Sequence, residues 1–233
     1  VSDYQNKGLR TLSVSYKELG PHCNYETADM AEIESDHTLL ATLGIEDTLQ
    51  NDVQLTLDLL SKAGIKIWVA TGDAKANTLV TSAMLNLIHH KEPIVEINND
   101  ILNYEAGYSS VFPNDRPVNF SEKALSVPPN SFSCVIDSED HGVIQKALES
   151  KKFLRALSLA RCAIFYRCKP ETKKDIAIAL QNYGKRVLAV GDGYNDSQLL
   201  GAADVGVGIL SPDGTRTYAS CDFEIPAFRN LVG

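Results

Sequence analysis

The sequence has no long hydrophobic run and no excess of positive charge. None of its apolar stretches approaches the ~18 residues that a membrane-spanning helix needs, so we expect any membrane helices to lie outside these 233 residues. Lysine and arginine number 22 against 30 aspartates and glutamates, which gives a net charge of −8 and a pI near 5.1. This balance argues against nucleic acid, or an anionic membrane surface, as the main partner.

Paired cysteines are also lacking. The five cysteines are odd in number and form no Cys-x-x-Cys motif; they are Cys23, Cys134, Cys162, Cys168 and Cys221. Cys162 and Cys168 flank a predicted buried strand. We therefore interpret the cysteines as reduced, structural thiols in a cytosolic compartment.

Hydrophobic residues make up 44% of the chain, which is enough for a sizeable core. Strands are predicted over residues 7–19, 65–70, 133–136, 162–166, 186–190, 204–207 and 222–225, with a further apolar run over 38–45. Helices are predicted within 25–34, over 75–87, 141–157, 171–182 and 195–201, and before Gly64. Strands that alternate with helices of this length predict an α/β fold with a doubly wound parallel sheet.

Residues 88–132 differ in character from the rest of the chain. Asparagine, aspartate and proline recur there, as in Asn-Asn-Asp at 98–100 and Pro-Pro at 128–129, and few segments are periodic. We interpret this stretch as a variable, partly disordered surface insertion. The adjacent His89 and His90 cannot share one helix face, so we expect them to interact with a helix C-terminus rather than with a metal.

The most informative motif is Gly-Asp-Gly-Tyr-Asn-Asp at 191–196, which follows an apolar strand. Gly191 and Gly193 allow a sharp bend and a close approach to a ligand. The carboxyl end of a parallel strand is where open α/β sheets bind ligands, and a carboxylate there suits Mg²⁺. The alternative is a tight loop whose polar residues cap the next helix.

Two more predicted strands end in polar motifs. Ile-Lys-Ile-Trp-Val-Ala at 65–70 runs into Thr71-Gly72-Asp73, and the strand at 163–166 runs into Arg-Cys-Lys-Pro-Glu-Thr-Lys at 167–173. In this chain order, the three strand ends resemble the phosphate-handling loops of the haloacid-dehalogenase-like phosphotransferases.

A closer resemblance covers most of the chain outside residues 88–132. The segments that carry it are Gly-Leu-Arg-Thr-Leu at 8–12, Ile-Glu-Asp-Thr-Leu-Gln at 45–50, Ala-Gly-Ile-Lys-Ile-Trp-Val-Ala-Thr-Gly-Asp at 63–73, Arg-x-x-Pro-x-x-Lys at 167–173, Gly-Asp-Gly-Tyr-Asn-Asp at 191–196, Ala-Asp-Val-Gly-Val-Gly-Ile at 203–209 and Ile-Pro-Ala-Phe-Arg at 225–229. Together they resemble the cytoplasmic catalytic region of P-type ATPases. The segments at 45–50, 64–69 and 225–229 resemble those of the phospholipid flippases in particular.

The resemblance implies a domain organisation and a function. Residues 1–46 would be the end of a nucleotide-binding domain and a hinge, and residues 47–233 most of a haloacid-dehalogenase-like phosphorylation domain. The whole protein would couple ATP hydrolysis to phospholipid translocation, with this chain on the cytoplasmic face of the membrane. ATP would be the substrate and Mg²⁺ the cofactor, phospholipid would bind to membrane helices outside the chain, and an accessory subunit is a further partner that the family allows.

The resemblance also implies roles for individual residues. Asp192 would bind Mg²⁺, and Asn195 and Asp196 would orient the ion and the phosphate. Lys173 would neutralise charge on the transferring phosphoryl group. The remaining roles concern phosphate and nucleotide contacts: Thr71 and Gly72 would donate to phosphoryl oxygens, Asp73 would contact the nucleotide or the Mg²⁺ shell, Arg10 and Arg167 would reach the ATP phosphates and ribose, and Asp47 would touch the ribose from the hinge. For both arginines, an ordinary surface ion pair is the alternative.

The nucleophile of the family is missing from this chain. The family's nucleophilic aspartate stands in an Asp-Lys-Thr-Gly-Thr run, which residues 1–233 do not contain. Asp137 and Asp140 follow a strand, but their spacing and position do not match an acid–base pair of the fold. We therefore expect the nucleophile upstream of Val1, on a strand between the Thr71 and Asp192 strand ends, so that the sheet of this chain lacks a central strand.

Two positions depart from the flippase pattern. Ala74, rather than lysine, follows Thr-Gly-Asp, and the bulky Tyr194 follows Gly-Asp-Gly, where its ring must find room beside the loop. Two alternatives to a flippase fragment remain open. One is a catalytically inert regulatory module derived from the same fold. The other is a stand-alone Mg²⁺-dependent phosphatase, which the missing nucleophile disfavours.

Overall fold

The computed structural model describes residue 4 and residues 9–20, 29–46, 48–88, 92–105, 120–210 and 220–232. The chain divides into two compact units, Val1–Thr48 and Leu49–Gly233. Within the described residues, no helix is both long and apolar enough to cross a lipid bilayer.

The first unit is built around an antiparallel pair of strands. β1 (Arg10–Tyr16) pairs with β2 (Thr38–Ile45) from Arg10 opposite Ile45 to Tyr16 opposite Thr38, and the short helix α1 (Met30–Ile33) lies between them in sequence. The predicted strand and helix are thus present: the strand ends at Tyr16, before the expected residue 19, and the described helix covers Met30–Ile33. Leu39, Leu40 and Leu43 are exposed on β2. Two strands alone bury little apolar surface, so an isolated two-stranded ribbon is at best marginally stable.

The second unit contains the α/β fold. Its strands are β3 (Ile67–Ala70), β4 (Ile94–Ile97), β5 (Ser133–Asp137), β6 (Cys162–Tyr166), β7 (Leu188–Gly191), β8 (Val205–Ile209) and β9 (Phe223–Ile225). Its α-helices are α2 (Val53–Lys62), α3 (Lys75–Met84), α4 (Asn99–Glu105), α5 (Phe120–Leu125), α6 (His141–Leu148), α7 (Lys151–Leu159), α8 (Pro170–Asn182) and α9 (Ser197–Ala202). Two 3₁₀ helices, Tyr194–Asp196 and Phe228–Leu231, complete it. Gly64, at φ +82°, follows α2 and ends it as predicted.

The central strands are apolar on both faces because helices cover both. Ile136 of β5 and Phe165 of β6 belong to one core cluster, together with Phe153 of α7. Their neighbours Val135 and Ile164 point to the opposite face and belong to a second cluster, which includes Leu57 of α2. Strands buried on both faces read as continuous apolar runs. The parallel α/β architecture itself was predicted from the alternation of strands with helices.

Among the described residues, the parallel strands of the second unit form two separate sheets. One sheet has the order β3-β6-β5-β4 and the other the order β7-β8-β9, and all of their pairings are parallel. Among the described residues, β3 therefore pairs only with β6, and β7 only with β8. The α/β class is confirmed, whereas a missing strand between β3 and β7 stays a prediction.

The interpretation of residues 88–132 as a surface insertion is wrong for its described parts. β4 is a parallel edge strand of the larger sheet, and Ile97, Leu102 and Phe120 are buried in the main core. The elements are four to seven residues long, too short to show a period, and Asn98 is a helix-capping residue that accepts from the Ile101 amide at 3.1 Å. Residues 89–91, with both histidines, and residues 106–119 lie outside the described part.

The single helix predicted over residues 141–157 is two helices. α6 ends at Leu148, and Ser150 caps the start of α7 by accepting from the Phe153 amide at 3.3 Å. A serine whose hydroxyl satisfies an amide of the next turn is a favourable N-cap, and it restarts the chain in a new direction. The apolar periodicity continues across the break because both helices face the same core.

Candidate functional site

Two loops at the carboxyl end of the larger sheet are joined by their backbones. Thr71 follows β3 and Arg167 follows β6, the strand beside it. The Cys168 amide donates to the Thr71 carbonyl at 2.8 Å, and the Arg167 amide donates to the Asp73 carbonyl at 3.0 Å. These bonds continue the ladder beyond the strands, so the Thr71–Asp73 loop has a fixed position relative to the start of α8.

Thr71 and Asp73 also form a local side-chain turn. The Thr71 hydroxyl donates to a carboxylate oxygen of Asp73 at 2.9 Å and accepts from the Asp73 amide at 3.1 Å. Gly72, between them, is exposed, and a Cβ there would meet nothing nearer than the Cys168 carbonyl at 3.6 Å. The loop thus presents a hydroxyl, a carboxylate and an open backbone on the carboxyl side of the sheet.

Lys173 and Asp196 join the two sheets. Lys173 lies in the first turn and a half of α8, which follows the larger sheet, and Asp196 lies just beyond β7 of the smaller one. The Lys173 ammonium is 2.7 Å from the Asp196 carboxylate, and the two side chains are only 11% and 13% exposed. A pair this well shielded from water is held tightly, because breaking it would leave a buried charge without a partner. The structure brings together these two predicted residues.

The approach of Asp196 depends on Gly191. A Cβ built on Gly191 would lie 2.5 Å from the Asp196 Cβ, closer than two such atoms can come. At Gly193, by contrast, a Cβ would meet nothing within 4 Å. The sequence predicted that both glycines admit a ligand; the structure shows that Gly191 admits the side chain of Asp196.

Asp192 and Asn195 are exposed in the loop that follows β7. Among the described residues there is no group of three or more histidine, cysteine, aspartate or glutamate side chains that could hold a metal. Asp192 therefore offers a single hard oxygen ligand. This fits Mg²⁺, which keeps several waters and binds through one or two carboxylates together with substrate phosphate, provided that the remaining ligands come from other groups.

Arg167 points toward an acidic partner. Its guanidinium Nη1 lies 2.5 Å from a carboxylate oxygen of Glu139, and its backbone is in the left-handed region at φ +56°. A non-glycine residue in that region costs about 1–3 kcal/mol, so surrounding contacts must hold it there. The predicted contact of Arg167 with ATP stays a prediction, because in this structure the arginine forms the surface ion pair that the sequence left open.

The two positions that depart from the flippase pattern do not crowd the site. Tyr194 is 81% exposed, so its ring points into solvent rather than into the loop, contrary to expectation. Lys75, displaced by one position by Ala74, begins α3 and forms an ion pair with Glu96 of β4 at 2.6 Å.

Asp137 and Asp140, which were rejected as an acid–base pair, have structural partners. Burial, together with the nearby Asp137 carboxylate and a hydrogen bond to it, raises the pKa of Tyr166 to about 12. Asp137 also accepts from the Glu139 amide at 3.1 Å. Asp140 caps α6 by accepting from the Val143 amide at 3.2 Å.

The thiols near the site are unreactive. Burial raises the pKa of the Cys168 thiol to about 11, although Lys173 nearby acts in the opposite direction. Such a thiol is protonated at neutral pH and is a poor nucleophile. Cys134, Cys162 and Cys168 are buried and unbridged, and Cys221 is half-buried and unbridged, which confirms structural thiols for these four; Cys23 lies outside the described residues.

Sequence reasoning missed Glu139 as a partner of the site and could not place two of its own candidates. Glu139 belongs to the Asp-Ser-Glu-Asp run after β5, a strand end that was considered only for an acid–base pair. Asp47 and the side chain of Arg10 lie outside the described structure, so their predicted nucleotide contacts stay predictions.

The sequence is similar to curated proteins over nearly its whole length. The chain is 31% identical to phospholipid-transporting ATPase NEO1 of Saccharomyces cerevisiae, over 97% of the chain and 20% of that protein. It is 30% identical to phospholipid-transporting ATPase IH of Mus musculus, over 97% of the chain and 22% of that protein. It is 31% identical to a probable phospholipid-transporting ATPase 11 of Arabidopsis thaliana, over 99% of the chain and 22% of that protein. The chain thus spans about a fifth of the length of the curated relatives it matches, and no protein-family model matches it.

Proposed function

Because the chain belongs to the family of phospholipid-transporting P-type ATPases, we propose that it is most of the phosphorylation domain of such an enzyme. In this proposal the whole protein transfers the γ-phosphate of ATP to an aspartate outside residues 1–233. Hydrolysis of the aspartyl-phosphate is then coupled to movement of phospholipid across a membrane by helices that are also outside this chain. Residues 47–233 form the phosphorylation domain, on the cytoplasmic side.

The observation that carries the proposal is that β3 and β7 are edge strands of two separate sheets. β3 and β7 each pair on one side only among the described residues, and each ends in a candidate phosphate loop. A parallel strand added between them would satisfy both edges, whose unpaired amides and carbonyls are otherwise exposed. Its carboxyl end would bring a nucleophilic aspartate between Thr71 and Asp192. The absence of an Asp-Lys-Thr-Gly-Thr run from residues 1–233 supports a strand from another segment.

The residues that follow β3, β6 and β7 have complementary tasks in this reaction. Lys173, oriented by Asp196, would stabilise the charge on the transferring phosphoryl oxygens, which is the main work a protein does in phosphoryl transfer. The Gly72 amide would donate to the same oxygens, and the Thr71 hydroxyl would do so after exchanging its present hydrogen bond to Asp73 for one to phosphate. Asp192 would hold Mg²⁺, and Asn195 would help to orient it. When bound, Mg²⁺ supplies charge stabilisation at the phosphate oxygens.

The first unit fits the end of a nucleotide-binding domain. Its two-stranded sheet leaves Leu39, Leu40 and Leu43 exposed, as expected for the margin of a larger sheet whose remaining strands lie elsewhere. In this assignment Arg10 and Asp47 would contact the nucleotide, and an accessory subunit would bind the transporter outside this chain.

We expect the ATPase that contains this chain to form an acid-stable, hydroxylamine-sensitive phosphoenzyme when it is given Mg²⁺ and ATP labelled at the γ-phosphate. Label at the α-phosphate is the control, because it should remain with the nucleotide. Proteolysis and peptide mapping should place the label outside residues 1–233. Label on a peptide from within these residues, such as the one that carries Asp137, would contradict the proposal.

A further inference from the structure

The Arg167–Glu139 ion pair connects the nucleotide side of the proposed site to the loop after β5, which has no role in the proposed reaction. The two charged groups are 2.5 Å apart, and their side chains are 46% and 63% exposed. Water therefore reaches both groups, and the pair can open without burying an unpaired charge.

The Arg167 backbone is held by a hydrogen bond, whereas its side chain is half exposed. Its amide donates to the Asp73 carbonyl, and its φ of +56° lies in a region that favours glycine. A long cation thus occupies a position where glycine would fit with less strain. The Arg167 side chain thus begins beside the Thr71–Asp73 loop, although its guanidinium lies at Glu139.

Glu139 is positioned by the loop that follows β5. Its amide donates to the Asp137 carboxylate at 3.1 Å, at the end of β5, and the next residue, Asp140, caps α6. β5 is the neighbour of β6, so Glu139 and Arg167 leave the same edge of the sheet from adjacent strands. The backbone of Glu139 is therefore held near that of Arg167, at the carboxyl ends of adjacent strands.

We propose that Glu139 competes with nucleotide for Arg167 and so sets the affinity of the site for ATP. A phosphate group and a carboxylate bind a guanidinium through the same kind of charged hydrogen bond, so the two acceptors compete for it. Without nucleotide, Glu139 holds the guanidinium; on binding, the phosphates of ATP displace it. The proposal rests on the proposed ATPase function and adds to it a residue that tunes nucleotide affinity without touching the reacting atoms.

The test compares Glu139→Gln with the wild type in the ATPase that contains this chain. Glutamine keeps the shape of the side chain but removes the charge, so the apparent KM for ATP should fall about two- to fivefold at low salt, as expected for an exposed pair. The kcat should stay within about twofold. The matched control is Glu149→Gln, at an exposed glutamate paired with Lys146 at 3.8 Å, which should leave KM unchanged.

The same measurement in an Arg167→Ala background completes a double-mutant cycle. Arg167→Ala alone should raise KM, and Glu139→Gln should then have no further effect. An unchanged KM for Glu139→Gln, or a decrease that persists without Arg167, would overturn the competition while leaving the proposed function intact. A wild-type protein that forms no phosphoenzyme from ATP would overturn the proposed function, and this proposal with it.

Discussion

Asp192→Ala is expected to reduce Mg²⁺-dependent phosphoenzyme formation by about 10³-fold or more in the ATPase that contains this chain, because a bound metal contributes several kcal/mol of charge stabilisation. Asp192 is exposed after β7 and offers a metal ligand, whereas the neighbouring Asp196 is already bound to Lys173 at 2.7 Å. Among the described residues, no cluster of acidic side chains could replace Asp192 as a metal site. The measurement is incorporation of label from ATP at saturating Mg²⁺.

Asp58→Ala is the matched control for this variant. Asp58 is an exposed aspartate on α2, so its removal changes the net charge by the same amount without touching the proposed site. We expect phosphorylation of this control to equal that of the wild type. Phosphorylation of Asp192→Ala at the wild-type level would contradict the assignment of Asp192 as a Mg²⁺ ligand.

Lys173→Ala is expected to slow phosphoryl transfer by about 10²–10³-fold, the usual effect of removing one group that stabilises developing charge. The ammonium of Lys173 is 11% exposed and is oriented by Asp196. Lys174, the next residue, should tolerate alanine with little change, because only Lys173 forms this pair. The measurement is the single-turnover rate of phosphoenzyme formation.

Loss of folding must be separated from loss of catalysis in this comparison. Removing Lys173 leaves Asp196 poorly solvated and without its partner, which destabilises the fold. Thermal unfolding of both variants, and of Lys173→Met, which keeps most of the side-chain volume, identifies the temperature at which all are folded. Equal rate losses for Lys173→Ala and Lys174→Ala at that temperature would show that the register of the motif is wrong.

The strand ends could be predicted from the sequence because each joins a continuous apolar run to a polar loop. Thr71, Arg167 and Asp192 all follow parallel strands as expected, and the family resemblance is confirmed by relatives that match nearly the whole chain. Burial on both sheet faces requires a continuous apolar run within each strand, so the strand and its end can be recognised from the local sequence alone.

The errors concern features that depend on tertiary contacts. β4 has four residues, one of them Glu96, and it is a strand because β5 offers it an edge. The break between α6 and α7 has neither glycine nor proline and depends on the cap at Ser150. The need for Gly191 comes from Asp196 folding back upon it. None of these contacts leaves a periodic signal in the sequence.

The pairing of Glu139 with Arg167 also depends on a tertiary contact. The two residues are 28 positions apart, and only the adjacency of β5 and β6 brings them together. Tyr194 shows the converse: its bulk in the sequence suggested crowding of the loop, but the 3₁₀ turn that it begins directs the ring outward. Residue type alone does not fix the direction of a side chain in such a turn.

The central claim is that this chain holds one part of a phosphoryl-transfer site whose nucleophile and central strand come from another segment. The most direct test is steady-state phosphate release by the purified chain of 233 residues with Mg²⁺, from ATP and from an aryl phosphate. The account predicts release at background from both substrates, and no difference between the wild type and Asp192→Ala. Robust release by the wild-type chain that is lost in Asp192→Ala would contradict it and would favour a stand-alone phosphatase.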